Sequence, residues 1–297
     1  MMHDFAGPHS DPASHDSTPH DNRLDGIDST FVFEFEQLDE PDDANQRWST
    51  WLSVEPLCRG PKPRPDWVVT SQGAIDTELG ILKTGKEAEV FLVERGVPGG
   101  ESVVMAAKRY KSREHTAFHR SGAYTEGWST RRSRDARAIK AKSTFGREVA
   151  SGQWANSEWT ALKRFWEAGV PVPYPVQIDG TEILMEFISV DDSPAPRLAQ
   201  TRPAPDLLEH YFEQLRSAME ALARDGVAHG DLSPYNILAA GERLVIIDLP
   251  QAVDIVGNAQ GMDFLMRDCA NVCAWFRRRG LEVDEHGLFG ELLAQVF

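Results

Sequence analysis

The stretch "VAHGDLSPYNILAAGERLVIIDLPQ", residues 227–251, decides what kind of fold this chain adopts. It reads as a short polar loop followed by a hairpin strand. Asp231 and Asn236 lie five positions apart in the loop, and Asp248 ends the apolar strand "LVIID". An amide and a carboxylate suit Mg²⁺, and the remaining carboxylate can accept a proton. The stretch therefore predicts one cleft wall with Asp231 as a general base and with Asn236 and Asp248 as metal ligands.

A glycine-containing turn lies upstream in "GILKTGKEAEVF", residues 80–91. It matches the phosphate-binding pattern G-x-x-x-x-G-K-[ST] up to its last position, which is Glu87 instead of a hydroxyl residue. The residues on both sides read as strands, and a third strand is predicted in "SVVMAAKRY", residues 102–110. A P-loop leads from a strand into a helix. The context therefore argues against that motif and predicts a strand–turn–strand unit with Gly85 at its tip.

A helix is predicted in "NSEWTALKRFWEAG", residues 156–169, with Asn156 or Ser157 as its cap and Glu158 in its first turn. Lys108 lies near the end of the third predicted strand, upstream of this helix. An alternative interpretation of the opening stretch is that its polar residues only shape a turn and cap a strand. The presence of a lysine-bearing strand and a glutamate-bearing helix in this order argues against that alternative.

The remaining pattern predicts a hairpin over residues 176–188 and a second helix over residues 206–226, which has a continuous apolar stripe. Cys269 and Cys273 lie four positions apart on a further predicted helix, where a buried helix face is expected. Asp263, Arg267 and Asp268 precede the two cysteines. These three residues either serve the cleft wall or form a surface salt bridge.

Charge is distributed unevenly along the 297 residues, which carry a net charge of −15. Residues 1–45 hold 12 acidic residues and one arginine, and this segment is predicted to be a disordered acidic tail. Residues 46–70 form an N-terminal extension whose tryptophans are expected to pack on the domain that follows.

The acidic N-terminus does not resemble a secretory signal, and no apolar run reaches the ~18 residues of a membrane span. Three cysteines make no disulfide framework, so we expect a cytoplasmic location without membrane contact.

The window of residues 108–147 has the opposite bias, with 12 basic residues against three acids. A basic patch on an acidic protein could contact a ribosomal subunit or RNA. It could equally be a solvated face or an arm that folds against the acidic tail. The sequence leaves these alternatives open.

The chain resembles the RIO family of atypical protein kinases, and most closely its Rio1 branch. The resemblance runs in order from roughly residue 70 to residue 280. It is carried by the segments "TGKEAEV" (84–90), Lys108, "WANSEWTALKRFWEAGVPVPYP" (154–175), "ILMEFI" (183–188), "PAPRL" (194–198), "HGDLSPYNIL" (229–238), "IDLPQAV" (247–253) and "FLMRDCANV" (264–272).

This resemblance implies an α+β, two-lobed kinase-like fold over residues 71–297, with a β-rich N-lobe at about 71–188 and an α-rich C-lobe at about 189–297. ATP and Mg²⁺ would bind between the lobes. Lys108 would pair with Glu158, and Asp231, Asn236 and Asp248 would keep the roles given above. The remaining nucleotide-binding residues would be the phosphate turn Thr84, Gly85, Lys86, Glu87 and Ala88, the gatekeeper Met185, and Glu186 and Ile188, whose backbone groups would face adenine.

The implied activity is ATP-dependent phosphoryl transfer to serine or threonine of an unidentified protein acceptor, including the chain itself, with a possible link to ribosome maturation. Two alternatives remain. "HGDL" followed by asparagine also resembles small-molecule phosphotransferases of the aminoglycoside type, and the basic window would suit an ATPase-like module that binds ribosomal particles.

Overall fold

The computed structural model describes residues 44–111, 144–249 and 252–297, and it describes the side chains of the helix that begins at Thr144 only from residue 151 onward. The predicted acidic tail, apart from its last two residues, lies outside the described residues. So does most of the basic window. In the described part of the chain, no helix is both long enough and apolar enough to cross a bilayer.

The upper lobe is a six-stranded antiparallel sheet with the strand order β1-β2-β3-β4-β6-β5. Its strands are β1 (Gln46–Trp48), β2 (Ile75–Thr84), β3 (Ala88–Gly96), β4 (Ser102–Tyr110), β5 (Pro175–Asp179) and β6 (Glu182–Glu186). The predicted strand–turn–strand unit is β2 and β3, and the predicted hairpin is β5 and β6.

The turn between β2 and β3 is closed by a hydrogen bond from the Gly85 amide to the Ala88 carbonyl oxygen, 2.9 Å away. A Cβ atom on residue 85 would lie 2.9 Å from that oxygen, closer than real Cβ contacts allow, so the turn requires glycine. Because β3 follows directly, no helix starts at this turn. The exclusion of a P-loop is confirmed.

Helix α1 (Thr144–Glu167) packs beneath the sheet through Trp159, Leu162 and Phe165. It begins well before the predicted start at Asn156 or Ser157, so that prediction was wrong. The Asn156 amide donates to the Gly152 carbonyl oxygen at 2.8 Å. A side chain bonded to the preceding turn fits inside a helix instead of capping it. Glu158 accordingly lies deep within α1 and not in its first turn.

The lower lobe follows a pair of short strands, β7 (Ser189–Val190) and β8 (Ser193–Pro194), and a 3₁₀ turn, Leu198–Gln200. Its helices are α2 (Pro205–Arg224), α3 (Gly261–Arg277) and α4 (Glu285–Val296), and its strands are β9 (Val227–Ala228), β10 (Ile237–Ala240), β11 (Arg243–Ile246) and β12 (Val253–Asp254). The apolar stripe predicted for the second helix faces the core of this lobe from α2. Cys269 and Cys273 are free and fully buried on α3, which confirms the predicted buried helix face.

The extension at residues 46–70 packs on the upper lobe as predicted, and it also contributes the edge strand β1. Trp51 is only 3% exposed and lies in a cluster with Val93, Met105 and Tyr174. The Tyr174 hydroxyl donates to the Pro61 carbonyl oxygen at 2.8 Å. The extension is therefore continuous with the core of the upper lobe.

Candidate active site

A cavity of about 890 Å³ lies between the two lobes. Ten of the residues that the sequence predicted for the site line it: Gly85, Lys86, Glu87, Ala88, Lys108, Glu158, Met185, Glu186, Ile188 and Asp248. Thr84, Asp231 and Asn236 do not belong to its lining. A volume of this size is typical of small-molecule and cofactor sites.

Lys108 is a cation that lines this cavity and is paired with two carboxylates. Its Nζ lies 2.6 Å from Glu158 Oε1 and 3.3 Å from Asp248 Oδ1, and its side chain is 15% exposed. Burial alone would lower the pKa of Lys108, but the two carboxylates outweigh burial, and the pKa is raised. Lys108 is therefore a fixed ammonium group. The predicted ion pair with Glu158 is present, although Glu158 reaches it from the interior of α1.

Tyr110 contacts Glu158 in this ion pair, and the sequence analysis did not predict this role. Its hydroxyl donates to the second carboxylate oxygen of Glu158. Burial and the neighbouring Glu158 raise the pKa of Tyr110, so the phenol stays protonated and remains a donor. The available signal was strand periodicity, because Tyr110 follows Lys108 by two positions and points to the same face of β4.

Asp248 lies just beyond β11 with a backbone φ of +67°. Non-glycine residues rarely adopt this left-handed conformation, which concentrates at functional sites. Its side chain is 41% exposed and faces the cavity. Burial raises its pKa, but the ammonium group of Lys108 and the hydrogen bond with it have the larger combined effect, and the pKa is lowered. Asp248 is therefore an ionised carboxylate.

The loop between β9 and β10 carries the other two predicted residues. The Asn236 Nδ2 group donates to the Asp231 carbonyl oxygen at 2.9 Å. That bond orients the side-chain amide and leaves Oδ1 able to accept or to coordinate. The Asp231 amide donates to His229 Nδ1 at 3.3 Å, and His229 Nε2 lies 3.1 Å from the Ile247 carbonyl oxygen. This arrangement fits a neutral imidazole protonated on Nε2, which ties the loop to the strand that leads to Asp248.

Asp268 anchors the same loop from below. It is 1% exposed, and its two oxygens accept the amides of Gly230 and Leu232, each at 2.8 Å. Burial raises its pKa to about 6, against the opposing effects of His229 and of the two amide hydrogen bonds. The surface salt bridge considered for Asp268 is therefore wrong. The side chain holds the backbone on both sides of Asp231 and supports the cleft wall.

The donor set fits Mg²⁺. Asn236 Oδ1 and the Asp248 carboxylate are hard oxygen ligands, and Mg²⁺ is bound in nucleotide sites by one or two such groups together with phosphates and water. Within the described ranges, no group of three or more His, Cys, Asp or Glu side chains forms a metal cage. A metal in this cleft would therefore depend on the nucleotide for part of its coordination.

Met185, Glu186 and Ile188 form the wall where the two lobes join. Met185 is buried, and the Glu186 amide donates to the Tyr174 carbonyl oxygen at 2.9 Å. The Ile188 carbonyl oxygen accepts the Ala195 amide at 3.0 Å. These bonds hold the connection in place beside the cavity. That its backbone binds adenine remains a prediction.

Comparisons with known proteins agree on one family. A family model described as the RIO domain matches residues 96–288. The RIO-type serine/threonine-protein kinase Rio1 of Haloferax volcanii is 35% identical over 221 residues, which are 74% of this chain and 70% of that one. Human serine/threonine-protein kinase RIO3 is 28% identical over 231 residues, and the match covers only 43% of its length.

Solved structures support the fold. The Rio2 kinase–ADP/Mg²⁺–phosphoaspartate complex from Chaetomium thermophilum superposes with a TM-score of 0.54 at 21% sequence identity, over 74% of this chain and 62% of that one. A likeness at this identity establishes the two-lobed kinase fold alone. The family match and the Haloferax relative place the chain in the RIO family of atypical kinases, in the Rio1 branch.

Proposed function

We propose that this chain transfers the γ-phosphoryl group of ATP, with Mg²⁺, to serine or threonine of a protein acceptor and to itself. The observation that carries the proposal is the position of Lys108. It is bound to Glu158 and Asp248 in the same cavity as the phosphate turn. Relatives of the chain are named serine/threonine kinases, which agrees with this chemistry.

Each predicted residue then has a distinct role. Lys108 binds the phosphate chain, and Glu158 keeps its ammonium group in place. Asn236 and Asp248 hold Mg²⁺, which neutralises charge on the phosphates. Asp231 forms no side-chain hydrogen bond with other described residues, so its carboxylate is able to take the proton of the acceptor hydroxyl.

The experiment is incubation of the purified chain with γ-labelled ATP, with Mg²⁺ or with EDTA, followed by identification of every labelled species. Wild-type protein should become labelled on serine or threonine only with Mg²⁺. The Asp231→Asn variant should lose nearly all label, and Asp263→Asn, at an exposed position on α3, is the matched control. Equal labelling of wild type and Asp231→Asn would disprove the proposal.

A second candidate is an ATPase that passes through an acyl phosphate. The Rio2 complex from Chaetomium thermophilum contains a phosphoaspartate, so an aspartate carries a phosphoryl group in that protein. Here a cleft carboxylate oxygen would attack the γ-phosphorus and release ADP. Water would then release phosphate and restore the carboxylate. Hydroxylamine removes label from an acyl phosphate but not from phosphoserine, so it separates the two candidates.

The partners and the location are also proposals. The excess of basic residues in 108–147 supports contact with a ribosomal subunit or RNA, which should weaken steeply as salt concentration rises. Free Cys58, Cys269 and Cys273 support a reducing, cytoplasmic compartment. Transfer to an aminoglycoside remains the small-molecule alternative, and the labelling experiment tests it when the antibiotic is added as acceptor.

A further inference from the structure

Two cations outside the predicted set face the cavity from opposite lobes. Lys83 lies near the end of β2 in the upper lobe, and Arg197 directly precedes the 3₁₀ turn in the lower lobe. Both line the cavity. The Arg197 guanidinium donates to the Tyr235 carbonyl oxygen at 2.7 Å, which holds it next to the loop that carries Asp231 and Asn236.

Neither cation has a carboxylate partner within salt-bridge distance in the described ranges, whereas Lys108 has two. Burial and the nearby charge of Arg197 lower the pKa of Lys83, and Asp248 only partly offsets them. Two like charges therefore share one cavity, and neither forms a direct ion pair with a carboxylate of the described residues. An anion bound between them would relieve their repulsion and would form hydrogen bonds with both side chains.

The phosphate chain of the nucleotide is the anion that best fits this position. Lys108 and Asp248 affect the pKa of Lys83 as well as Arg197 does, so its ammonium group lies near these charged groups. Residues 85–88 of the turn, which follow Lys83 closely along the chain, line the same cavity. Lys108 already faces two carboxylates, so further cations would help it to balance the negative charge of the phosphates.

We propose that Lys83 and Arg197 form a clamp that binds the phosphate chain of ATP from the upper and the lower wall of the cavity. The proposal rests on the proposed function, because it assigns two further binding residues to the same nucleotide.

The test is titration calorimetry of ATP–Mg²⁺ and of adenosine with wild type, Lys83→Gln, Arg197→Gln and the double variant. Each single substitution should weaken ATP binding about three- to tenfold and the double variant more, with adenosine affinity unchanged. Lys62→Gln and Arg224→Gln, at exposed positions outside the cavity, are the matched controls and should bind both ligands like wild type.

Three results would overturn the clamp. ATP affinity could stay at the wild-type value, or adenosine affinity could fall as much as ATP affinity, which would indicate a structural effect. The variants could also keep ATP affinity and lose only transfer to a protein acceptor, which would assign the cations to the acceptor. Failure of the proposed function gives a different result, because wild-type protein would then bind ATP–Mg²⁺ in calorimetry without passing its label to serine or threonine.

Discussion

Asp268 should make the stability of this protein fall as pH rises from about 4 to above 6. The pKa of this buried carboxyl is raised to about 6, while an aspartate in an unfolded chain has a pKa of about 3.9. The folded state therefore holds the proton more tightly. The resulting stabilisation is complete below about pH 4 and is lost as pH rises through about 6. A gap of about two pH units corresponds to about 3 kcal/mol, of which roughly half falls between pH 5 and pH 8.

The Asp268→Asn variant removes this contribution because an amide does not ionise. The free energy of unfolding in urea should be measured for both proteins between pH 5 and pH 8. The difference between them should shift by about 1.5 kcal/mol in favour of the variant as pH rises, since all other titrating groups are shared. Asp263→Asn, at an exposed position on the same helix, should follow the wild-type curve. Parallel curves for wild type and Asp268→Asn would refute the reasoning.

The same variant separates stability from activity. Asparagine offers one oxygen where the carboxylate offers two, so the amide of Gly230 or Leu232 loses its acceptor. A buried donor without a partner destabilises its local conformation by about 1–3 kcal/mol. The loop on both sides of Asp231 should therefore be less well held. Phosphoryl transfer should decrease, while ATP–Mg²⁺ affinity, measured by calorimetry, changes little.

Three further predictions concern the ion pair, the loop and the extension. Lys108→Met should lower the free energy of unfolding in urea by about 3–5 kcal/mol, because it leaves the buried Glu158 carboxylate without its cation. The double variant with Glu158→Gln should recover stability but not phosphoryl transfer. A double variant as unstable as the single variant would contradict this prediction. Asp231→Asn should reduce transfer of labelled phosphate by about 10²–10⁴-fold and should keep the wild-type affinity for ATP–Mg²⁺. Asp248→Asn should weaken that affinity. Equal losses of affinity in calorimetry would show that both residues are metal ligands. Trp51→Ala should lower the free energy of unfolding in urea by about 3–5 kcal/mol, because the indole is buried in the upper lobe. A change within about 0.5 kcal/mol, as expected at an exposed position, would show that the extension is not part of the core.

Local pattern was sufficient for the features that depend on neighbouring residues. The turn at Gly85 could be predicted because a glycine between two runs of strand-forming residues determines a hairpin without help from the rest of the chain. The order of Lys108, Asp231, Asn236 and Asp248 along the chain, with their residue types, was enough to predict the chemistry proposed for the cleft. The first inference uses spacing within one turn, and the second uses residue types and their order along the chain.

The start of α1 could not be predicted from the local sequence. Asn156 and Ser157 are typical capping residues, yet they lie inside the helix, where tertiary packing outweighs the capping preference. The tertiary structure also decided the roles of Trp51 and Tyr110, because each depends on a partner in a distant part of the chain.

Asp268 shows most clearly what only the tertiary structure decided. The sequence predicted an acidic residue on a helix, with a cleft wall or a solvated surface as equal alternatives. Burial at 1% exposure and two amides contributed by the loop around Asp231 settle the choice. These groups are 36 or more positions away along the chain, so no local pattern could indicate them. Hydrogen bonds between distant segments form only when the whole lobe packs, and it is packing that turns an ordinary aspartate into the support of the proposed catalytic loop.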